Sequence, residues 1–168
     1  LSFAKKIICY DANLKGISKK FLNKIFLTKP LLRKEIYKYQ RNEKIIPHGE
    51  KKILIIGGSQ GAKFFDEFIS RMITKLSKTI NISVLQQVID HKSKDNISEL
   101  YKKNTVKHEL FEFDDKLLTK AVNYDLAITR SGASTISELS YLYIPFVAIP
   151  FPYAKDNHQL YNAKFYKK

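Results

Sequence analysis

The sequence contains little cysteine and few acidic residues, and it has no long apolar run. Its one cysteine, Cys9, cannot form a disulfide within the chain, which excludes a disulfide-stabilised secreted domain and fits a reducing compartment. Cys9 lies in an apolar run, where a buried, inert thiol is the simpler interpretation. Because no cluster of Cys and His has the spacing of a metal site, the sequence predicts neither a bound metal nor a cofactor.

The longest nearly apolar stretch, residues 141–154, is too short to span a bilayer and is interrupted by Pro145, Pro150 and Pro152. We interpret it as a buried strand followed by a loop. No signal peptide is visible either. The sequence therefore predicts a protein without a membrane-spanning helix.

Acidic residues number 16 against 30 lysines and arginines, which gives a net charge of +14. Such a charge indicates nucleic acid, an anionic membrane surface or a phosphorylated substrate, or else a lysine-rich coding bias that only decorates the surface. The lysines are scattered, and no long basic block forms a nucleic-acid-binding tail. An RNA-recognition pattern of basic and aromatic residues is also missing. We therefore predict no nucleic-acid partner, whereas a membrane surface, a phosphorylated substrate and a coding bias all stay possible.

Short apolar runs alternate with amphipathic segments from residue 51 onward. The run 53–56 is rich in β-branched residues, as in a strand buried on both faces of a parallel sheet, and residues 64–76 repeat apolar side chains at helical spacing. The alternation predicts further strands at 82–89, 106–113, 125–129 and 145–149, and helices at 94–102, 115–122, 135–142 and from 158 onward. Repeated β-α units of this length predict an α/β fold, with a parallel sheet and helices on both faces.

Two short strands, at 6–10 and 24–27, precede a polar stretch at 38–50 that contains Pro47 and Gly49. Proline and glycine interrupt regular structure, so we interpret this stretch as a linker.

In an open parallel sheet, ligands bind at the carboxyl ends of the strands, and three segments of the sequence follow predicted strands there. The first segment is residues 57–62, Gly-Gly-Ser-Gln-Gly-Ala. Glycines allow a close approach of the backbone, the following helix points its first amides at a phosphate, and Ser59 adds a hydroxyl. The spacing matches neither the dinucleotide fingerprint nor a Walker loop. The segment thus predicts a phosphate site or, alternatively, only a tight turn.

The second segment, residues 130–138, also follows a strand and opens a helix. Thr135 and Glu138 have the spacing of a capping box, which alone could explain both residues. A carboxylate here could instead accept hydrogen bonds from the two hydroxyls of a ribose. The residues themselves favour capping and leave the ribose interpretation open.

The third segment, residues 150–159, gathers polar side chains ahead of a helix. His158 in this segment is more simply a surface or capping residue than a catalyst. No Asp or Glu at a defined spacing completes a catalytic triad with it.

Together and in this order, the three segments resemble the MurG family, whose members transfer N-acetylglucosamine from the UDP-sugar to the lipid-linked muramyl-pentapeptide precursor of peptidoglycan. The matching stretches are residues 55–62, 129–139, 149–152, 156–159 and 162–163. Residues 3–7 and 28–35 are similar to the end of the family's first domain, so the resemblance covers nearly the whole chain.

The resemblance implies two Rossmann-like domains of a GT-B glycosyltransferase, with the active site between them. Residues 1–50 would be the end of the N-terminal acceptor domain and the linker, and residues 51–168 the C-terminal UDP-sugar-binding domain, incomplete at its end. The intact protein would be an inverting hexosyltransferase of peptidoglycan synthesis, in peripheral contact with the anionic cytoplasmic face of the plasma membrane. Its partners would be UDP-N-acetylglucosamine and the undecaprenyl-linked muramyl-pentapeptide.

The resemblance also implies roles for individual residues. Ser59 would contact the diphosphate, the backbone of Phe113 would lie over the uracil, and Gln159 would bind the sugar. Glu138 would accept hydrogen bonds from the ribose hydroxyls, and Arg33 would close the site from the edge of the first domain. The nucleotide would be lined by the residues that precede Glu138, namely Ala133, Ser134, Thr135, Ile136 and Ser137.

The chain departs from the family's pattern in three places. Residues 86–89, Gln-Gln-Val-Ile, replace the family's H-Q-x-G stretch, and Lys29 and Leu31 change the stretch before Arg33. The glycine-rich loops of the first domain, which carry the general base, have no counterpart, and the chain begins with Leu1. We therefore expect a fragment that binds the donor weakly at most and does not turn it over. The alternative is a non-catalytic nucleotide-binding module or the remnant of a decayed gene.

Overall fold

A computed structural model describes residues 2–11, 14, 16–39, 49–58 and 62–167. In these ranges, seven strands form two sheets. The small sheet pairs β1 (Ile7–Cys9) with β2 (Ile25–Leu27) in parallel. The main sheet contains β3 (Lys51–Ile56), β4 (Ile82–Gln87), β5 (Lys107–Phe111), β6 (Leu126–Thr129) and β7 (Phe146–Ala148).

Helices connect the strands of the main sheet. The first is continuous and consists of α1 (Ala62–Phe64), a π-helical stretch (Phe65–Ile69) and α2 (Ser70–Leu76). The others are α3 (His91–Lys103), α4 (Leu117–Ala121), α5 (Ala133–Tyr141) and α6 (His158–Tyr166). Short 3-10 helices lie at Lys19–Lys24, Lys34–Lys38 and Lys155–Asn157.

All pairs in the main sheet are parallel, and the strand order is β5-β4-β3-β6-β7. The predicted α/β fold is therefore confirmed. The chain builds the sheet outward from β3, first through β4 and β5 and then on the other side through β6 and β7. The boundary between β3 and β6 is the switch point at which ligands bind in sheets of this type.

Side chains of β3 alternate between two hydrophobic cores, because successive residues of a strand point to opposite faces. Ile53 and Ile55 pack on one face with side chains from the helix that follows β3 and from α3, including Phe65, Ile69, Ile73, Ile97 and Tyr101. Leu54 and Ile56 pack on the other face with side chains from α4 and α5, including Leu117, Ala121 and Leu139. Helices cover both faces, as the buried run 53–56 predicts.

The 3-10 helix Lys34–Lys38 contributes to the second core. Its Ile36 is only 1% exposed and clusters with Leu54 and Leu139. This packing holds Arg33, the residue directly before the 3-10 helix, against α5. The polar stretch predicted as a linker falls mostly in residues 40–48, which lie outside the described residues, and the division of the chain at residue 50 stays a prediction.

Several element boundaries differ from those predicted. The strand predicted at 82–89 ends at Gln87, and the helix predicted at 94–102 begins at His91. Asp90 explains the earlier start of the helix, because its carboxylate accepts a hydrogen bond from the N–H of Ser93 at 2.8 Å and caps the helix. That hydrogen bond lowers the pKa of Asp90.

Across the described ranges, the helices are all too short or too polar to cross a bilayer.

Candidate functional site

The three segments meet at one edge of the main sheet, because the carboxyl ends of parallel strands lie together. The first and second segments leave β3 and β6, which are neighbours in the sheet. The N–H of Arg130 donates to the carbonyl of Ile56 at 3.2 Å, so the start of the second segment is joined to the end of β3. The third segment follows β7, the next strand along.

The first segment is described only in part. Gly57 and Gly58 follow β3 directly, whereas residues 59–61, including the predicted diphosphate contact Ser59, lie outside the described residues. Gly58 has a φ of +66°, a conformation that favours glycine. Its N–H donates to Oε1 of Gln87 at 3.1 Å. The turn is thus held by a side chain of the neighbouring strand.

The second segment does not contain a capping box. Helix α5 begins at Ala133, with Gly132 at the N-cap and no side-chain cap. Thr135 and Glu138 therefore lie inside the helix rather than at its N-cap and N3 positions, and the capping interpretation of the pair is wrong. Local spacing suggested a start at Thr135, but the helix starts earlier, at the glycine turn.

Glu138 instead pairs with Arg33. Its two carboxylate oxygens accept hydrogen bonds from Nε of Arg33 at 2.8 Å and from Nη2 at 3.1 Å. The Glu138 side chain is 2% exposed and that of Arg33 is 52% exposed. The hydrogen bond raises the pKa of the Arg33 guanidinium. Two residues predicted to share a ligand are therefore in contact, although a ribose could bind this carboxylate only if Arg33 moved or shared it.

The residues that precede Glu138 in α5 differ in accessibility. Ala133 and Ser134 are exposed at the first turn of the helix, and Thr135 is half-buried. Ile136 is fully buried. Ser137 is buried too: its hydroxyl donates to the carbonyl of Ala133 at 2.6 Å and accepts a hydrogen bond from the Tyr166 hydroxyl at 2.9 Å. Among residues 133–137, those of the first turn of α5 are therefore the most accessible to a ligand.

Helix α6 holds the second and third segments in place. Oε1 of Gln159, the predicted sugar contact, accepts the N–H of Phe151 at 2.9 Å. Nδ2 of Asn162 donates to the carbonyl of Ser131 at 3.0 Å. His158 is exposed at the first position of α6, and its Nδ1 bonds to the carbonyl of Lys155 at 2.8 Å. This fits the surface alternative rather than the capping one, because Asn157 is the N-cap and no side chain caps the helix.

Phe113, the predicted uracil contact, follows β5 at the same edge and is 82% exposed. The turn after it is fixed by Asp114, whose carboxylate accepts the N–H of Lys116 at 2.8 Å and pairs with Nζ of Lys120 at 2.6 Å. These contacts, above all the one with Lys120, lower the pKa of Asp114.

Arg130 is a residue of this edge whose role the sequence did not reveal. Its guanidinium lies 5.0–5.4 Å from the centres of three aromatic rings, those of Phe64, Phe65 and Phe151. Nη1 donates to two main-chain carbonyls, those of Ile149 at 3.3 Å and Pro150 at 3.2 Å. The available signals were its position directly after a buried strand and its place in the stretch 129–139 that resembles the MurG family.

Rings and carbonyls surround Arg130, but no described carboxylate neutralises its charge. The residue is 9% exposed, its Nε has no hydrogen-bond partner, and burial lowers its pKa. Among the described residues, no carboxylate pairs with it. A buried cation without a counter-ion marks a candidate site for an anionic ligand.

In the part of the chain that the structure describes, no three His, Cys, Asp or Glu side chains come together as metal ligands.

The chain is similar to known proteins over its whole length. The family model of the glycosyltransferase family 28 C-terminal domain matches residues 52–168. The chain is 41% identical to the UDP-N-acetylglucosamine--N-acetylmuramyl-(pentapeptide) pyrophosphoryl-undecaprenol N-acetylglucosamine transferase of Pelagibacter ubique (strain HTCC1062), over 100% of the chain and 46% of that protein. It is 40% identical to the protein of the same name from Rickettsia canadensis (strain McKiel), over 98% of the chain and 47% of that protein. The chain thus spans about half the length of these curated relatives.

A solved structure shares the fold. The crystal structure of Acinetobacter baumannii MurG superimposes with a TM-score of 0.74 and 24% sequence identity, over 96% of this chain and 44% of that one. At this identity the likeness shows the α/β fold.

Proposed function

Because this chain belongs to the family of the glycosyltransferase family 28 C-terminal domain, we propose that it is the UDP-sugar-binding half of an inverting glycosyltransferase. The intact enzyme transfers N-acetylglucosamine from UDP-N-acetylglucosamine to the undecaprenyl-linked muramyl-pentapeptide. The proposal extends to this chain the activity that the names of its relatives from Pelagibacter and Rickettsia state.

One contact between distant residues carries the proposal. Arg33 and Glu138 are 105 residues apart in the sequence, and the MurG resemblance implies that Glu138 binds the ribose and that Arg33 closes the site. They are in direct contact at the edge where the first and second segments leave the sheet. This contact supports a single donor site built from both ends of the chain.

The chemistry we propose for this edge is electrostatic. A hydroxyl of the acceptor attacks the anomeric carbon of the donor, and UDP leaves with a growing negative charge on its diphosphate. The start of the helix at Ala62 and the amides of the first segment, apart from that of Gly58, which donates to Gln87, stabilise that charge. The buried Arg130, which contacts Phe64 and Phe65 of that helix, adds a positive potential. Ser59 binds the diphosphate, Glu138 the ribose and Gln159 the sugar, and the general base comes from outside this chain.

We also propose that the intact enzyme works at the cytoplasmic face of the plasma membrane through peripheral, salt-sensitive contact. The net charge of +14 supports this, since attraction between basic side chains and anionic lipids is screened over about 8 Å at physiological salt. Flotation with anionic vesicles is the test, and binding that persists in high salt contradicts the proposal.

Titration of the 15N-labelled chain with UDP, followed by NMR, tests the donor site. We expect binding at a Kd of about 1 mM or somewhat below, equivalent to roughly −4 kcal/mol, because the chain supplies only its own half of the contacts. The shifted amides should be those of residues 57–58, 113 and 130–135. Shifts confined to the opposite edge of the sheet, or none, would contradict the proposal.

A chimera tests the transfer reaction itself. The chain is joined behind the first half of the Pelagibacter relative, which supplies the part that this chain does not align with. Transfer of N-acetylglucosamine to a lipid-linked acceptor is the expected result. Donor binding without transfer would favour the alternative of a non-catalytic nucleotide-binding module.

A further inference from the structure

Strand β4 ends with two consecutive glutamines that point to opposite faces of the sheet. Gln86 is fully buried, and its amide contacts the hydroxyls of Ser70 and Tyr101 within the core. Gln87 is half-buried and points away from that core. The two side chains are identical and their environments differ, so each residue is a control for the other.

The amide of Gln87 bridges the two strands that flank β4. Its Oε1 accepts the N–H of Gly58, which follows β3, at 3.1 Å. Its Nε2 donates to the carbonyl of Glu112, which follows β5, at 3.2 Å. Both contacts lie just beyond the ends of the regular strands, where the ladder of main-chain hydrogen bonds ceases.

These contacts fix groups that the sheet alone does not fix. Gly58 has a positive φ, and no atom of the described residues would lie within 4 Å of a Cβ built on it, so no described side chain packs at that position. A side-chain hydrogen bond to its N–H therefore restrains Gly58 itself, near the start of the first segment. The second contact restrains the residue directly before Phe113.

We propose that Gln87 is a positioning residue for the nucleotide diphosphate, which ties the first segment to the Glu112–Phe113 turn at a fixed separation. This inference rests on the proposed function, because it takes the first segment as the diphosphate site and the Glu112–Phe113 turn as the base site. Gln87 acts through the main chain of Gly58 and Glu112. It sets the distance between the two ends of a bound UDP.

Three variants of the full 168-residue chain separate a positioning role from a purely structural one. Gln87→Met removes both hydrogen bonds and keeps the length of the side chain. Gln87→Glu keeps an acceptor for Gly58 and replaces the donor to Glu112 with a carboxylate oxygen. Gln86→Met is the matched control, since it disturbs the core beside β4 and leaves both contacts of Gln87 in place.

The first measurement is hydrogen exchange at the Gly58 amide by NMR, which needs no ligand. We expect exchange to be roughly tenfold faster in Gln87→Met, the size expected for one lost hydrogen bond. Exchange should be restored toward the wild-type rate in Gln87→Glu. In Gln86→Met, measured well below its melting temperature, the Gly58 rate should be unchanged.

The second measurement is the ratio of the Kd for UMP to the Kd for UDP, which isolates the contribution of the second phosphate. We expect this ratio to fall by about three- to tenfold in Gln87→Met and to stay unchanged in Gln86→Met. A residue that only supports the fold would weaken both nucleotides together and leave the ratio intact.

The inference is overturned if Gly58 exchange is the same in Gln87→Met and the wild type. It is also overturned if exchange rises but the UMP-to-UDP ratio does not change, because the tether would then have no effect on the ligand. If the wild-type chain responds to neither nucleotide, the donor-site proposal fails for this chain and the positioning role fails with it. The Gly58 rates then show only whether the hydrogen bond exists.

Discussion

Arg33 and Arg130 are the two arginines of the candidate site, and they lie in opposite electrostatic surroundings. Arg33 is half-exposed and makes two hydrogen bonds to the buried carboxylate of Glu138, which raise its pKa. Arg130 is buried among aromatic rings with main-chain carbonyls as its only hydrogen-bond partners in the described residues, and burial lowers its pKa.

Arg33 makes a contact that stabilises the fold, whereas Arg130 carries a charge that no described carboxylate neutralises. A carboxylate buried beside its own arginine is neutralised within the protein. A buried cation without a carboxylate costs desolvation energy, and a group whose pKa is perturbed by burial beside a binding edge is a candidate ligand contact. We therefore propose that Arg33 mainly stabilises the fold, and that Arg130 acts on a ligand in addition to its contacts with three rings and two carbonyls.

Arg33→Met should give the largest loss of stability. The substitution leaves the carboxylate of Glu138, 2% exposed, without its cation. We expect the free energy of unfolding to fall by roughly 1–3 kcal/mol, a value discounted for the exposure of Arg33. Thermal unfolding measures it, with Arg33→Lys as the control that keeps the charge and loses the two-pronged geometry. A melting temperature equal to that of the wild type would show that the pair contributes nothing.

Arg130→Met should have the opposite signature. Stability should change little, because relief of the desolvation cost of an unpaired buried charge offsets the loss of its ring and carbonyl contacts. Affinity for UDP should fall by roughly tenfold, the size of one charge-assisted interaction. Arg130→Lys, which keeps the charge without the planar ring contacts, should retain more of the affinity. Loss of stability together with unchanged UDP affinity would show that Arg130 stabilises the fold and does not act on the ligand.

Glu138→Gln tests the pair from its other side. Gln can still accept a hydrogen bond from Arg33, so the loss of stability should stay below about 1 kcal/mol. If the carboxylate also accepts the ribose hydroxyls, donor affinity in the chimera with a complete first half should fall roughly tenfold. Equal donor affinity in variant and parent would remove Glu138 from the site and leave it as the partner of Arg33 alone.

Asp66 gives the smallest expected effect and is the anionic counterpart of Arg130. It is 8% exposed, its Oδ1 has no hydrogen-bond partner, and burial raises its pKa above the ordinary 3.8. The carboxyl of Asp66 therefore stays protonated to a higher pH in the folded chain than in the unfolded chain. Its contribution to stability falls as the pH rises from about 3.8 through the folded pKa.

The substitution Asp66→Asn removes that titration. The amide oxygen of the new side chain can still accept the N–H of Ile89, which Oδ2 of Asp66 accepts at 3.1 Å. The stability of the variant relative to the wild type should therefore improve as pH rises from about 3.8 to neutrality. Thermal unfolding across this range measures it. A constant difference between the two proteins at all pH values would show that Asp66 does not titrate in this way.

The regular elements were predictable because their signals are local. The β-branched run 53–56 and its alternation between two buried faces indicated a central parallel strand, and the repeated β-α pattern indicated the sheet. Asp90 was a missed local signal: an Asp before a polar segment is a common N-cap, and it moved the start of α3 to His91.

The contacts of the site were not predictable by the same means. The pairing of Arg33 with Glu138 depends on the burial of Ile36 in a core whose other residues lie far from it in the sequence. The amide of Gln87 likewise contacts residues that follow two other strands. The Thr135–Glu138 spacing misled because a sequence motif does not say where its helix begins. The MurG resemblance named Arg33 and Glu138 separately, and only the fold brought them into contact.

A crystal structure of the chain with UDP would show whether the carboxyl edge of the main sheet is the donor site. We predict the diphosphate at Gly57–Gly58 and the start of the first helix, and the base beside the main chain of Phe113. The ribose should lie at Glu138, with Arg33 displaced from the carboxylate or sharing it, and Arg130 should keep its place behind the diphosphate. UDP bound away from this edge, or at this edge with Arg33 and Glu138 both uninvolved, would contradict the assignment.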